Sequence, residues 1–515
     1  MEPSQSHLFL KGGAADVKFD GGDLDCGGGL LLLIRSHLDP MNRGGLLEIL
    51  STDSGVREDL PAWCRLTGNE LVSWCETGSQ RSFLICKGKL SERVLPVSNA
   101  ARASEFLARG RVPVTVLDPL PRPSPAPIIA PLSVMGVGSW PRPRWMLQAV
   151  HERAEGKLDE AEFQATANDA VRLCVDAQLR AGGAGAGGVD VLTDGEQRRD
   201  NYASFVGRIL DNCALIPLTD LLPLVDNPDE FKRELKALDI PASEVRHPAV
   251  FGPLGRSKPL AVHESEFVRT LSTKPIKIAL PGPYLLTRTM WMECLKENAY
   301  ASREALGRDV VRVLREELFS LLAAGVALVQ FDEPVLSEVV FSGPKNARSF
   351  MCGALSERGE PAEELAFARG LINAVLDGAP RERTALHICR GNWTRDETKA
   401  LSGDYSPLLP LLKTLNVGTY FLELCTPRSG EMEILRDLPE DRRIGVGVVN
   451  QKLDRVESIE EVRSKVAHAV QLFGRERVLL NPDCGFATFA ENPLASSEVA
   501  EKKLATIIRV SSEFR

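Results

Sequence analysis

The sequence predicts an α/β protein in which a (β/α)8 barrel follows a small two-layer α+β module. Three observations lead there. Beyond about residue 131, short β-rich runs alternate with longer amphipathic stretches, which is how crossover units of a parallel sheet read in sequence. Eight such runs start at Val134, Val189, Ile276, Val326, Thr384, Thr419, Arg443 and Val478, and eight in about 385 residues suit a closed barrel with insertions. Finally, reactive side chains stand where these runs end, and a barrel builds its active site at the C-terminal ends of its strands. An open doubly wound sheet is the rival fold.

The elements follow in chain order. Residues 12–90 are expected to form the α+β module: a β-like segment near Val17–Phe19, a helical stretch Leu30–Leu38, a strand Leu46–Ser51, a helix near Arg57–Leu66 and a strand Arg81–Lys87. Residues 91–130 are expected as a linker, with a short helix within Ser91–Gly110. Its end is crowded with Pro113, Pro119, Pro121, Pro123, Pro125 and Pro127, and such runs are stiff and extended. Residues 131–515 are the expected barrel. Its strands run into VMGVGS at Ser139, VDVLTDGE at Glu196, VALVQFDEP at Asp332 and Glu333, and TALHIC at His387 and Cys389. The later ones run into TYFLELC at Glu423 and Cys425, RIGVGVVN at Asn450 and VLLNPDCG at Cys484.

Composition narrows the function classes. The 515 residues are 43% hydrophobic and 26% charged, as in globular proteins, and 62 basic against 70 acidic side chains give a net charge of −8. No basic run offers the footprint nucleic acid needs. The longest aliphatic run, Leu30–Ile34, is far too short to cross a bilayer. A cytoplasmic protein with small-molecule partners is expected, in which the 11 cysteines are core residues, metal ligands or nucleophiles, not disulfides.

Residues two apart on a strand share a face, so His387 and Cys389 would present an imidazole and a thiol to one site. Glu423 and Cys425 would do the same on the next strand, and Cys484 follows the last one. Thiolates with an imidazole suit Zn2+, which in catalytic sites keeps a position open for substrate. Each cysteine taken alone reads more readily as core than as ligand, and Asp332 and Glu333 read equally well as barrel-mouth charges capping the next helix.

At these residues the segment from about Ser133 to the end resembles the catalytic zinc barrel of cobalamin-independent methionine synthases. Six motifs match in order: VGSWPRP (Val137–Pro143), VLTDGEQRRD (Val191–Asp200), LPGPY (Leu280–Tyr284), VQFDEPVL (Val329–Leu336), HICRGN (His387–Asn392) and NPDCGF (Asn481–Phe486). The resemblance implies His387, Cys389, Glu423 and Cys484 as zinc ligands, with Cys425 as the alternative to Glu423. It implies Gly138, Ser139, Glu196 and Asp332 as the holders of the amino-acid end of homocysteine. No side chain is assigned as catalytic acid or base. The implied activity is methyl transfer from a 5-methyltetrahydrofolate-type donor to the zinc-activated thiol of homocysteine, giving methionine.

Two departures keep alternatives open. A small module stands where two-barrel members carry a second barrel that helps hold the folate, and Asn450 occupies the place of a family histidine after the seventh strand. An amide does not titrate in the useful range, so it supplies no proton. A zinc-dependent alkyl transferase or lyase of the epoxyalkane:coenzyme M transferase type, acting on another small thiol, is the first alternative. The second is a non-catalytic zinc barrel with a sulfur-relay module and a sulfur-relay partner. That module, about Phe19 to Gly88, resembles the TusA/SirA sulfur carriers through TDSGVREDLPAWCRLTGNEL (Thr52–Leu71). The family's Cys-Pro-x-Pro is Cys26-Gly27-Gly28-Gly29 here, so Cys26 is the candidate sulfur carrier and is expected to be dispensable for the barrel's chemistry.

Overall fold

A computed structural model of the protein describes residues 15–93, 111–154, 156–183, 187–231, 246–292, 298–341, 359–392, 395–487 and 494–515. The chain divides into two compact units, Met1–Ala101 and Arg102–Arg515.

The first unit runs β1 (Val17–Asp20), α1 (Leu31–Leu38), β2 (Leu46–Ser51), α2 (Val56–Thr67), β3 (Glu70–Thr77) and β4 (Gln80–Cys86). Its sheet has the order β1-β2-β4-β3, with β1 and β2 parallel and the other pairs antiparallel. Apolar positions of α1 and α2, including Ile34, Leu38, Leu60 and Cys64, bury against Ile49, Phe83 and Ile85 of the sheet, forming the two expected layers. The helix α2 carries Glu58 and Asp59 in its first turn, where the dipole favours them, and ends on left-handed Gly68 (φ 74°). The strand β3 has no counterpart in the sequence reading. Its pairing with β4 shifts register between Leu71 and Ser73, which breaks the two-residue alternation by which a strand is recognised. The helix expected within Ser91–Gly110 lies mostly outside the described residues.

In the second unit, α3 (Arg144–Ala154) and α4 (Glu160–Arg180) follow the first barrel strand, and an antiparallel hairpin, β5 (Asp211–Pro217) and β6 (Arg246–Gly255), is inserted after the second. Then come α5 (Val262–Leu271), β7 (Lys277–Pro281), α6 (Pro283–Met290), α7 (Arg303–Ala323), β8 (Leu328–Asp332), α8 (Val335–Phe341), α9 (Pro361–Leu376), β9 (Thr384–Ile388) and β10 (Thr419–Leu422). The chain finishes with β11 (Arg443–Val449), α10 (Ile459–Phe473), β12 (Val478–Pro482) and α11 (Ser497–Phe514). Strands β7 to β12 form one parallel sheet. The ring closes through two very short strands: Leu192 pairs with Ile276, Met135 with Val191, and Val134 with Leu480, all in parallel. The eight strands are those the sequence predicts, each beginning within about two residues of its expected start.

Alternation around the ring separates two apolar sets. Val134, Leu192, Val329, Leu386, Leu422 and Leu480 join the large core beneath the helices. Their neighbours Met135, Val191, Leu328, Ala385, Phe421 and Leu479 form a cluster of their own inside the barrel, with Ile129 packed against it.

Residues 111–131, expected as a spacer, are extended but lie along the barrel. Ser124 N donates to Leu322 O (3.1 Å) and Val112 N to Asn212 Oδ1 (2.7 Å). Arg383 reaches Ser124 O (2.6 Å), and Arg443 reaches Ile129 O and Ala130 O (2.9 and 3.0 Å). Prolines donate no hydrogen bond yet keep their carbonyls, and barrel arginines capture carbonyls along this strap. The second compact unit accordingly takes in this segment.

Candidate metal centre and active site

His387 sits near the end of β9 and Cys389 one residue past it, while Cys484 follows β12. Their ligand atoms lie within 4.8 Å of one another, and all three residues are buried. The imidazole is fixed from behind. Asp332 Oδ1 lies 2.9 Å from His387 Nδ1, and an ionised carboxylate only accepts, so Nδ1 carries the proton. Among the described residues Nε2 is buried with no hydrogen-bond partner, in a ring that has a nitrogen within 4.8 Å of both sulfurs. This is how metal-binding histidines are prepared.

The thiols are matched to the same purpose. A hydrogen bond from Cys484 pulls the Cys389 thiol down to about 7 despite burial, with His387 helping. Cys484 is pushed well up by that same bond and by burial. Two adjacent sulfurs share one proton, and both ionise together only with a cation between them. The buried orphan nitrogen and this sulfur pair fit a zinc ion.

Glu423, expected as a ligand, stands outside this group of three. Its Oε2 accepts from Arg390 N (2.8 Å) and its Oε1 is paired with Arg428. Cys425 does not join either. The strand β10 ends at Leu422, so the alternation that would put residues 423 and 425 on one face has ceased. Cys425 N donates to Asp483 Oδ1 (2.9 Å), and Cys425 Sγ lies 2.8 Å from Lys465 Nζ of α10. Burial, then the Asp483 charge, pushes its thiol up to about 12.

The four residues expected to hold an amino acid gather beside the metal group. Glu196 has a positive φ of 55°, uncommon for a residue with a side chain. Buried Arg142 holds it there by donating to the carbonyls of Glu196 (2.6 Å) and Arg199 (2.5 Å). The Glu196 carboxyl is buried, and among the described residues its Oε2 has no partner. Burial, opposed by Arg199 and assisted by the Asp332 charge, pushes it up to about 7. A Cβ at Gly138 would lie 2.6 Å from Glu196 Oε1, so a larger residue there would displace the Glu196 carboxyl. Ser139 Oγ accepts from Ala487 N (3.3 Å), and Gly485 packs so tightly on Ser139 that a Cβ there would sit 2.5 Å from Oγ. Gly138 and Ser139 thus bridge from Glu196 to the loop bearing Cys484.

A match to the family model for the catalytic domain of cobalamin-independent synthase covers residues 234–358 and 373–505. The chain belongs to this family. Among curated relatives, the methionine synthase of Saccharolobus solfataricus is 25% identical over 373 residues, covering 72% of this chain and 91% of the relative. That of Sulfurisphaera tokodaii is 27% identical over 374 residues, covering 72% and 89%. A solved B12-independent methionine synthase from a Shewanella species, in complex with selenomethionine, is 23% identical with a TM-score of 0.55, covering 75% of this chain and 98% of that one. A putative one from Listeria monocytogenes is 18% identical with a TM-score of 0.54, covering 76% and 99%. These two structures share the barrel fold.

Within this family member, Asp332 is engaged from two sides, because Gln330 Nε2 also donates to its Oδ1 (2.7 Å). Gln330 Oε1 in turn accepts from Lys277 Nζ (2.7 Å), which also donates to Val137 O (2.8 Å). Burial brings Lys277 down to about 7, against the pull of Asp332, Glu196 and Cys484. Neither Lys277 nor Gln330 is among the sequence candidates. The signal for Gln330 was present, since it lies two residues before Asp332 on one strand face. Lys277 begins its strand, far in sequence from the polar ending that drew attention. Glu333 caps a helix, but not the next one that the sequence suggested: it accepts from Tyr284 N and Leu285 N (2.8 and 2.9 Å) at the start of α6, which precedes its strand. Asn450 is buried, with Nδ2 donating to Glu397 Oε1 (2.7 Å).

Proposed function

We propose that the barrel transfers a methyl group from a 5-methyltetrahydrofolate-type donor to the thiol of homocysteine, giving methionine, with zinc held by His387, Cys389 and Cys484. The observation that carries this reading is the buried His387 Nε2, unpartnered among the described residues, in a ring grouped with two cysteine sulfurs while Asp332 occupies Nδ1. Zinc bound there supplies Lewis acidity that lowers a substrate thiol's pKa and makes it nucleophilic near neutral pH. Glu423, whose carboxyl oxygens accept from Arg390 N and pair with Arg428, would be the fourth residue to hold the metal in our reading.

The chain's own residues do the positioning. Glu196 offers an unpartnered carboxyl oxygen in an environment already charged by Asp332, so an ammonium group inserted there restores the ionised form. Gly138 and Ser139 line the adjacent backbone, where donors suit the amino acid's carboxylate. Arg142 and Arg199 hold the Glu196 loop from behind. Burial of His387, Cys389, Cys484, Glu196, Asp332 and Ser139 limits the access of water to the group.

The second reading, alkyl transfer from a donor without a pteridine, is favoured by Asn450, whose amide is committed to Glu397 and supplies no proton to a leaving group. One experiment separates the two. Purified full-length protein with quantified zinc is offered homocysteine with methyltetrahydrofolate bearing one or three glutamates, with methylcobalamin, and with an epoxide. Methionine formation that is lost on chelation and regained with zinc supports the first reading. A thioether formed only from the epoxide supports the second. Full activity in metal-stripped protein sinks both. The same reading makes the protein cytoplasmic; among the described residues no helix is long and apolar enough to cross a membrane.

A further inference from the structure

The strand β10 ends at Leu422, and the next three backbone N–H groups are taken by side chains from elsewhere in the fold. Glu423 N donates to the Tyr405 hydroxyl (3.0 Å), while Leu424 N and Cys425 N donate to Asp483 Oδ1 (2.9 Å each). Buried backbone donors that leave a ladder need new partners. The partner found by Glu423 has a second attachment, and that attachment leads back to the metal group.

Tyr405 is buried in the connection between β9 and β10. Its hydroxyl accepts from Glu423 N and gives its single proton to Ile388 O (3.1 Å) or to Glu423 O (3.3 Å). Ile388 stands between His387 and Cys389, and it is the last residue of β9 to pair with β10, opposite Leu422. The hydroxyl therefore sits where the ladder between the two strands stops, and it ties the backbone of the His387–Cys389 pair to that of Glu423. The phenol ring is held in turn. The Arg390 guanidinium lies over it at 4.0 Å and over the Phe341 ring at 4.7 Å. Arg390 Nη1 donates to Ser337 Oγ (2.9 Å), which donates to Cys389 O (2.8 Å), and Arg390 N donates to Glu423 Oε2 (2.8 Å).

We propose that Tyr405 is a positioning residue of the metal group: its hydroxyl sets the spacing between the end of β9 and Glu423, and so presents the Glu423 carboxylate to the site formed by His387, Cys389 and Cys484. The inference rests on the zinc reading above, with Glu423 as the fourth residue. Phenylalanine at 405 keeps the ring under Arg390 and removes only the bridge. Glu423 N is then left without its acceptor, and the backbone carrying the carboxylate must move to find another.

The test uses full-length protein and reads zinc affinity by competition with a chromophoric chelator, together with the visible spectrum of the cobalt-substituted protein, which reports coordination geometry. Tyr405→Phe is expected to lose about tenfold or more in zinc affinity, as for other groups that orient metal ligands, and to shift the cobalt spectrum. Tyr420→Phe is the control for a merely structural hydroxyl: it is likewise buried, lies on β10 itself and donates to Leu412 O (2.5 Å). It is expected to leave both readings at parental values. In a Glu423→Ala background, Tyr405→Phe is expected to add less than about a twofold loss, because the carboxylate it positions is gone. Parental affinity and spectrum in Tyr405→Phe overturn the proposal. Equal losses in Tyr405→Phe and Tyr420→Phe, or an undiminished loss in the Glu423→Ala background, overturn it too. A parent protein that binds no zinc instead removes the reading on which the proposal rests, and this shows before any variant is compared.

Discussion

Cys26 in the N-terminal module and Cys389 at the barrel mouth are both buried thiols at the edge of an element, yet their surroundings push them in opposite directions. Cys26 opens a single turn that leads into α1. Burial, then Asp59, Asp53 and Asp25, pushes it up to about 11. Cys389 is brought down to about 7 by the thiol of Cys484, against burial and with help from His387. Nearby carboxylates disfavour a thiolate and nearby donors favour it. Thiolate formation thus depends on the surroundings the fold supplies: at Cys26 burial, then three aspartates, disfavours it.

The largest expected effect tests this contrast directly. Cys484→Ala is expected to abolish zinc binding and thiol alkylation, whereas Cys26→Ser leaves both unchanged; metal analysis and the transfer assay read the pair. Activity lost in Cys26→Ser with zinc and folding intact would give the module the reactive thiol and reverse the comparison.

A graded effect follows for the group behind the imidazole. Removing a carboxylate that orients a metal-bound histidine typically costs about 10–100-fold in metal affinity, and Asp332→Ala is expected in that range by competition with a chromophoric chelator. Asp332→Asn should further weaken homocysteine far more than a thiol lacking an amine. Equal losses for both thiols would take Asp332 out of amino-acid recognition.

The two cysteines also differ without mutation. In chelator-treated protein, iodoacetamide near pH 7.5 is expected to label Cys389 well before Cys26, because only the former is then substantially thiolate; peptide mass spectrometry gives the two rates. Similar rates would erase the distinction.

The smallest effect is a pH dependence. Glu196 is pushed up to about 7, chiefly by burial, so it is protonated below that pH and ionised above it. Ammonium recognition needs the ionised form. The KM for homocysteine should therefore fall as pH rises from about 6 to 8, by a factor of several, and Glu196→Gln should flatten that part of the profile while raising KM throughout. A slope that survives the substitution assigns the titration to another group. Stability has the opposite sign: an acid whose folded pKa is raised is more protonated in the folded state, so its contribution falls as pH rises toward 7.

Much of this was legible in the linear chain. Strand runs ending in polar residues located the barrel and its working face, because parallel strands all deliver their C-terminal ends to one side. The HxC pair located two members of the buried His387–Cys389–Cys484 cluster, because alternation holds up to the end of β9. What failed did so where local geometry stops being regular. Alternation does not extend past Leu422, so Cys425 turns to Asp483 and Lys465. A register shift hid β3. The prolines announced an extended segment without announcing the arginines that fasten it to the barrel.

The sequence by itself determined the order of elements, the barrel, and the residue types available for a zinc and thiol chemistry, since periodicity and spacing are properties of the chain alone. Only the tertiary structure decided which groups are paired and which are left over. It engages Asp332 with His387, Glu423 with Arg428 and Asn450 with Glu397, and it leaves His387 Nε2 and Glu196 Oε2 buried without partners among the described residues. The physical reason is that availability for chemistry is a difference between a group's bonding capacity and the partners brought to it across the fold. Those partners lie tens to hundreds of residues away in sequence, where no local pattern carries the information.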